Sequence, residues 1–323
     1  MMHFTVHELD ISKYKNITAQ TPEVVGGSRP RLTLVHKNGG KFFFKTYTKN
    51  PREIWAECLA SHIAELVDIP AQSVTIKYPQ ERLKNALKRI YPKQLPKDWK
   101  PIGTLSRNIF PKRVEIIYGM NILGSASKPK TLEEVEKSIS QRYYAPEDLL
   151  QAFSDMLVLD IFLGNMDRHH ENWGICEDNK YKQQVMFDKK KVVGYRYFTP
   201  LFDHGSSLMF ELSDKQIIDM VNDENKIRNY VENSKFGFIL DIDGKKNNVF
   251  NIVENHLKDK TVWGERLRKS LHKFVQIDML QVASLVIKMP SIDILEYSSV
   301  RRKILYKSLI MRYNKIRKLD ERC

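Results

Sequence analysis

The chain has 323 residues, 42% hydrophobic and 10% aromatic, enough to bury a substantial core in one large domain or two lobes. Lys and Arg number 53 against 39 Asp and Glu, a net charge of +14, so the surface should attract anions: nucleotides, nucleic acid, acidic protein faces or anionic lipid. No stretch approaches the roughly 20 apolar residues of a membrane span. The opening MMHFTVHELDISKYKN lacks the basic start and apolar run of a secretory signal, and Cys58, Cys176 and Cys323 share no metal-ligand spacing. A reducing, cytoplasmic setting is expected, with export as an effector left open.

Along the chain, the part before about residue 120 is rich in Gly, Pro and strand-like alternation, and long helical patterns dominate after it. The segment VVGGSRPRL comes first. Gly26 and Gly27 let backbone amides approach phosphate oxygens, Ser28 adds a hydroxyl, and Arg29 and Arg31 add positive charge, although paired glycines most often mark a turn alone. RLTLVH and KFFFKTY, joined by Asn38-Gly39-Gly40, read as a β-hairpin. Asn50 as N-cap, Pro51 at the first helical position and Glu53 in the first turn open a helix through EIWAECLASHIAELV, which Asp68-Ile69-Pro70 ends. Residues 71–105 mix prolines and lysines without a sustained period and read as a polar, solvent-facing connection, while RVEIIYG resembles a buried strand.

TLEEVEKSISQRYYAPEDLL should open the helical half, and Glu147 to Leu163, apolar on almost every side, marks a buried central helix that Gly164 stops. Trp173 to Cys176 reads as a short strand, followed by a lysine-bearing excursion and GYRYF. RLRKSLHKF, QIDMLQVASLVIKM and SVRRKILYKSLIMRYNKIRKL predict a helical, basic C-terminal end.

The chemistry concentrates in two strings. In LGNMDRHHENWGI, Asp167 precedes Asn172 by five positions, a spacing that suits a carboxylate accepting a hydroxyl proton and a carboxamide holding a metal ion. TPLFDHGSSL supplies Asp203-His204-Gly205, an Asp-x-Gly that would bridge magnesium to phosphates. The bland readings are Asx turns for Asp167 and Asn172 and a simple turn for Asp203-His204-Gly205. His169 is expected to orient the loop through backbone hydrogen bonds, Arg168 and His170 to meet solvent or phosphate, and Asp160, a carboxylate in the apolar helix, to brace the loop. Upstream, Lys45 on the second hairpin strand and Glu57 on the next helix occupy the places of a phosphate-binding lysine and its partner carboxylate. Singly, each would be an ordinary surface residue.

Together GGSRPR, FFFK, WAECLASHIAEL, LGNMDRHHENWG and PLFDHGSSL resemble the HipA-like serine/threonine protein kinases, in particular the short forms of the CtkA type. The resemblance spans residues 24 to 208 and implies an α+β, two-lobed kinase-like fold, divided as an N-lobe over 1–122 and a mainly helical C-lobe over 123–323. It implies ATP and Mg2+ as cofactors, Asp167 and His169 in the catalytic loop, Asn172 and Asp203 at the metal, and Gly26, Gly27, Ser28, Lys45, Glu57 and Tyr118 around the nucleotide. It also implies a protein substrate with a Ser or Thr acceptor, a toxin role with an antitoxin partner, and autophosphorylation at Ser28, where added negative charge would repel ATP. The chain is too short for the extra N-terminal subdomain of longer members, and the long stretch from Asn172 to Asp203 predicts an inserted hairpin near KQQVMFDKKKVV. A lipid or small-molecule kinase, a basic nucleic-acid-binding module, and a metal nuclease built from Asp167, His169, His170 and His204 are the competing readings.

Overall fold

Alternating apolar residues organise the first half around one sheet. In the computed structural model, which describes residues 6–19, 29–48, 50–108, 114–124, 128–178, 185–187, 190–192, 195–259, 262–289 and 298–322, β3 (Arg31–His36) and β4 (Lys41–Thr46) form the expected hairpin, with Gly39 in the left-handed region at φ +90°. Flanking it are β1 (His7–Leu9), β2 (Tyr14–Ala19), β5 (Val74–Pro79) and β6 (Gly103–Arg107), which complete a six-stranded sheet of order β1-β5-β6-β4-β3-β2. Only the β1–β5 pair is parallel among the named pairs of this sheet.

Helix α1 (Arg52–Leu66) follows β4. The N-cap is Pro51, one residue later than expected, and the Asn50 side-chain oxygen accepts from Arg52 N–H at 3.0 Å just before it. The helix is buried from Glu53 to Ala60, so it packs as an internal element.

Residues 71–105 differ from expectation. They hold β5, β6 and a helix, α2 (Glu81–Ile90), rather than a polar connection. Val74 and Ile76 alternate inward, and Leu83 and Leu87 bury one stripe of α2 in a satellite core with Leu9, Leu32, Leu34 and Phe44. The prolines and lysines of IYPKQLPKDWKPIG lie in the linker between α2 and β6 and obscure the short elements around it.

The second half is mainly helical. It contains β7 (Val114–Tyr118), the single turn α3 (Gly119–Leu123), α4 (Leu132–Arg142) and α5 (Glu147–Leu163). Next come β8 (Gly174–Asp178), the hairpin β9 (Val185–Phe187) and β10 (Lys190–Val192), and β11 (Arg196–Phe198). The hairpin stands where the long gap between the two chemical strings predicts one. β7 is an edge strand of the sheet β11-β8-β7, with Ile117 its one fully buried residue, rather than a strand buried throughout.

Among the described residues six helices complete this half: α6 (Asp214–Asn222), α7 (Glu224–Glu232), α8 (Val249–Lys258), α9 (Val262–Val275), α10 (Met279–Lys288) and α11 (Ser299–Asp320). Trp173 stacks on Phe198 with centroids 5.7 Å apart and meets Phe153 of α5 edge-on at 5.0 Å, so aromatic packing joins the small sheet to the central helix. Among the described residues no helix is long and apolar enough to cross a membrane.

His256 on α8 is fully buried, its Nδ1 3.5 Å from Glu133 Oε1. Burial lowers its pKa below the ordinary 6.5, against the pull of Glu133. Above that pH both folded and unfolded states hold the neutral ring; below it the unfolded chain binds the proton more readily, so stability falls as pH drops. Urea unfolding should lose up to ~1.4 kcal/mol per pH unit for each such histidine. His256→Gln should flatten that slope, and an unchanged slope would contradict the assignment.

Candidate functional site

The site begins where α5 ends. Gly164 takes φ +68°, ψ 35°, a left-handed C-cap, and its N–H donates to Ile161 O at 3.3 Å. The same carbonyl accepts from Arg312 Nη1 of α11 at 2.9 Å. A Cβ on Gly164 would meet that guanidinium at 2.9 Å, so the glycine allows both the turn and the arginine's approach.

Beyond Gly164, the catalytic string hangs on one buried ion pair. Asp160 and Arg168 are each 1% exposed. Arg168 donates from Nε to Asp160 Oδ2 and from Nη2 to Oδ1, both at 2.8 Å, the paired fork that suits guanidinium and carboxylate. Asn165 Nδ2 adds a third bond to Asp160 at 2.9 Å. Arg168 Nη1 also donates to the carbonyls of Asn172 at 3.1 Å and Phe202 at 2.7 Å, and Nη2 lies 3.1 Å from His204 Nδ1. Asp160 therefore braces the loop, as expected, but it does so through Arg168, which is neither a solvent nor a phosphate contact.

His169 bonds to the backbone of its own loop, as expected of an orienting residue. Its Nδ1 accepts from Glu171 N–H at 3.3 Å and its carbonyl from Asn172 N–H at 2.9 Å, bonds internal to the loop. His170 is buried edge-on against Phe238, 4.9 Å between centroids. His204 is buried as well; burial, and then the Arg168 charge, hold its pKa well below the usual histidine range, so the neutral ring accepts at Nδ1. The histidines proposed for a nuclease centre do not converge, and among the described residues no group of three His, Cys, Asp or Glu is placed to hold a metal.

The second string is held at both ends. Leu201 N–H donates to Pro70 O and Gln72 N–H to Leu201 O, each at 2.8 Å, tying it to the segment after α1. Leu208 N–H donates to Leu163 O at 2.9 Å, tying it to the end of α5. Between these anchors Asp203 adopts φ +61°, a conformation that Asp tolerates better than most residues.

There Asp203 meets the first lobe. Lys45 Nζ lies 2.7 Å from Asp203 Oδ1 and 3.5 Å from Glu57 Oε1. Arg29 donates from Nη2 to the same Asp203 oxygen and from Nη1 to Glu57 Oε2 at 2.8 Å, with Nε 3.9 Å from Glu53 Oε2. A Cβ on Gly205 would lie 2.5 Å from Arg29 Nη1, so the glycine of Asp203-His204-Gly205 makes room for this guanidinium. Burial alone would raise the Asp203 carboxyl; Arg29 and then Lys45 overturn that and hold it far below the usual carboxylate range. Burial likewise opposes the Arg29 charge, and Asp203, Glu57 and Glu53 more than restore it. At Glu53 burial dominates, and its pKa is raised despite Arg29.

The remaining candidates fall around this group. Asp167 is exposed and accepts from Ser206 Oγ at 3.2 Å; Asn172 is buried one turn of loop away. Tyr118 is half-buried, its pKa raised by burial against the opposing charge of Arg31, which also interacts with Asp203. Gly26, Gly27 and Ser28 lie outside the described residues. Arg29, expected in a phosphate loop, and Glu53, expected only at the helix start, both join the Asp203 network. The available signal was the i,i+4 spacing of Glu53 and Glu57, which sets two carboxylates on one face of α1. As donors, the Asp203 carboxylate and Asn172 carboxamide are hard oxygens, suited to magnesium completed by phosphate oxygens and water.

The basic C-terminal helix also turns inward. Arg301 donates from Nη2 to Leu212 O and Asp214 Oδ1, both at 2.7 Å, and Arg312 reaches Ser234 Oγ at 2.7 Å as well as α5. Both are buried, so part of the charge that suggested a nucleic-acid surface serves as internal bracing.

No protein-family model matches the chain. The serine/threonine-protein kinase CtkA of Helicobacter pylori is 24% identical over 196 residues, 60% of this chain and 53% of that protein. The chain thus spans about half the length of the curated relative it matches. The crystal structure of a Helicobacter pylori proinflammatory kinase CtkA superposes with a TM-score of 0.71 at 18% identity, covering 94% of both chains. HipA of Shewanella oneidensis, in a toxin–antitoxin complex with HipB and operator DNA, gives 0.55 at 11% identity, covering 95% of this chain and 74% of that one. The chain has the α+β fold of the HipA-like kinases.

Removing Arg168 leaves a buried carboxylate without its partner. Arg168→Ala should cost about 3–5 kcal/mol in urea unfolding, whereas Asp160→Leu combined with Arg168→Met should cost far less than the sum of the single changes. Additive losses would contradict the pairing.

Proposed function

We propose that the chain is an ATP- and magnesium-dependent serine/threonine protein kinase of the HipA-like type. The observation that carries this reading is the junction of Lys45, Glu57 and Asp203, three side chains from separate elements, with Asp167 bonded to Ser206, three residues after Asp203. A kinase needs a lysine on the nucleotide phosphates, a carboxylate holding that lysine, a metal-binding Asp and a base facing the acceptor. Lys45 would pair with the phosphates, with Glu57 fixing its position, and Asp203 and Asn172 would hold magnesium. Bound there, magnesium neutralises charge on the transferring phosphoryl group.

Asp167 accepts the proton of the attacking hydroxyl. His169 keeps the loop between Asp167 and Asn172 in shape through its bonds to Glu171 and Asn172. Arg168 places that loop against Phe202 and His204, so the base and the metal carboxylate share one rigid support. Arg29 and Lys45 supply cationic charge at Asp203 in this structure, and the Arg29 guanidinium would have to leave the carboxylate for magnesium to bind there. Gly26, Gly27 and Tyr118 are candidates for nucleotide contacts, and Ser28 is a candidate self-modification site. The proposed functional division is an N-lobe of 1–122 and a C-lobe of 123–323, with β7 and α3 at the junction, β7 pairing with β8 of the second half.

The likeness to CtkA supports a protein acceptor bearing Ser or Thr. The HipA neighbour, solved with HipB and operator DNA, supports a toxin role with an antitoxin partner.

The test is transfer of radiolabelled phosphate from ATP, with magnesium, to the protein itself and to an added protein substrate. Intact protein should incorporate label, Asp167→Asn and Asp203→Asn should lose at least ~100-fold, and chelation of magnesium should abolish transfer. Equal incorporation by all three proteins would sink the proposal.

A further inference from the structure

The two adjacent serines after Asp203-His204-Gly205 differ in what their hydroxyls do. Ser207 is fully buried and its Oγ donates to His204 O at 2.6 Å, closing a turn. Ser206 is partly exposed, and its Oγ donates to Asp167 Oδ2 at 3.2 Å. That is the contact an acceptor hydroxyl makes with a general base, within the range that proton abstraction requires. It joins residues 39 positions apart and depends on the anchoring of the intervening segment. The Asp203 ion network fixes the segment on one side of Ser206, and the Leu208–Leu163 bond fixes it on the other. Asp203 itself is three residues away, so the hydroxyl, the base and the metal carboxylate belong to one constellation.

We infer that Ser206 is a phosphorylation site of the enzyme on itself, modified in cis. The inference rests on the kinase reading and adds to it the identity of an acceptor. In the step, Ser206 Oγ attacks the γ-phosphorus of ATP, forming an O–P bond while the bond from that phosphorus to the β,γ-bridging oxygen breaks. ADP leaves with the bridging oxygen. The hydroxyl proton passes to the Asp167 carboxylate and from there to solvent. The product places a group of about −1.5 to −2 charge beside Asp167 and near Asp203. It occupies the position that any other acceptor hydroxyl must take, so the modified enzyme transfers phosphate to added protein more slowly than the unmodified one.

The full chain, treated with a protein phosphatase that is then removed, is incubated with ATP and magnesium and mapped by tandem mass spectrometry, with an added protein substrate in a parallel reaction. The expected result is phosphate on Ser206, at an initial rate per molecule that does not change on dilution. Ser206→Thr retains the mark on that peptide and Ser206→Ala loses it. Phosphate on the added substrate, on residues 20–28 or on Ser207, with Ser206 unmodified, overturns the inference and leaves the kinase reading standing. A rate per molecule that falls with dilution overturns transfer in cis. Absence of transfer to every acceptor overturns both.

Discussion

Carboxylates buried together must find positive charge, and this chain solves that problem across its two halves. Asp203 comes from the second half, Glu57 and Glu53 from α1, and Arg29 and Lys45 from residues leading into and through the hairpin. Repulsion among the acids and the cost of burying them are both met by the same two cations. The result helps hold the sheet lobe against the helical lobe, alongside the Arg52–Asp214 ion pair between α1 and α6, and it keeps Asp203 ionised, the form a magnesium ligand requires.

Around that point the supports are rigid and mostly hidden. The Asp160–Arg168 pair fixes the loop after α5, and Arg312 satisfies a carbonyl at the end of the same helix. Arg301 holds the start of α6 from the opposite end of α11. Three arginines thus link α5, α6 and α11 to the segments bearing Asp167 and Asp203. Lysine could not replace the planar forks that Arg168 and Arg301 form with carboxylates and carbonyls at once.

Much of this architecture was legible beforehand because it rests on local rules. Asn38-Gly39-Gly40 between alternating strands, Asn50 before α1, and Gly164 after an apolar helix each specify backbone shape within a few residues. The two strings bearing Asp167 and Asp203 were legible for the same reason: their chemistry demands short spacings. What stayed hidden depends on partners far along the chain. Nothing near Arg168 announces that it will be buried against Asp160, and nothing near Arg29 announces Asp203, 174 positions away. VTIKYP and ERLKNALKRI were overlooked because each is short and bordered by lysines and prolines, so that burial against the sheet decides their structure more than propensity does. Basic residues on α11 read as a solvent face, since charge pattern alone cannot tell a surface arginine from a bracing one.

If Asp203 is the metal ligand of a nucleotide site, its removal should separate binding of the nucleotide from binding of the metal. Calorimetric titration of ATP into the protein, with and without magnesium, measures this directly. Intact protein should bind ATP at least ~10-fold more tightly with magnesium, Asp203→Asn should lose that difference, and Asp167→Asn should keep it. Affinities that are the same in all three proteins and indifferent to magnesium would contradict the assignment of Asp203.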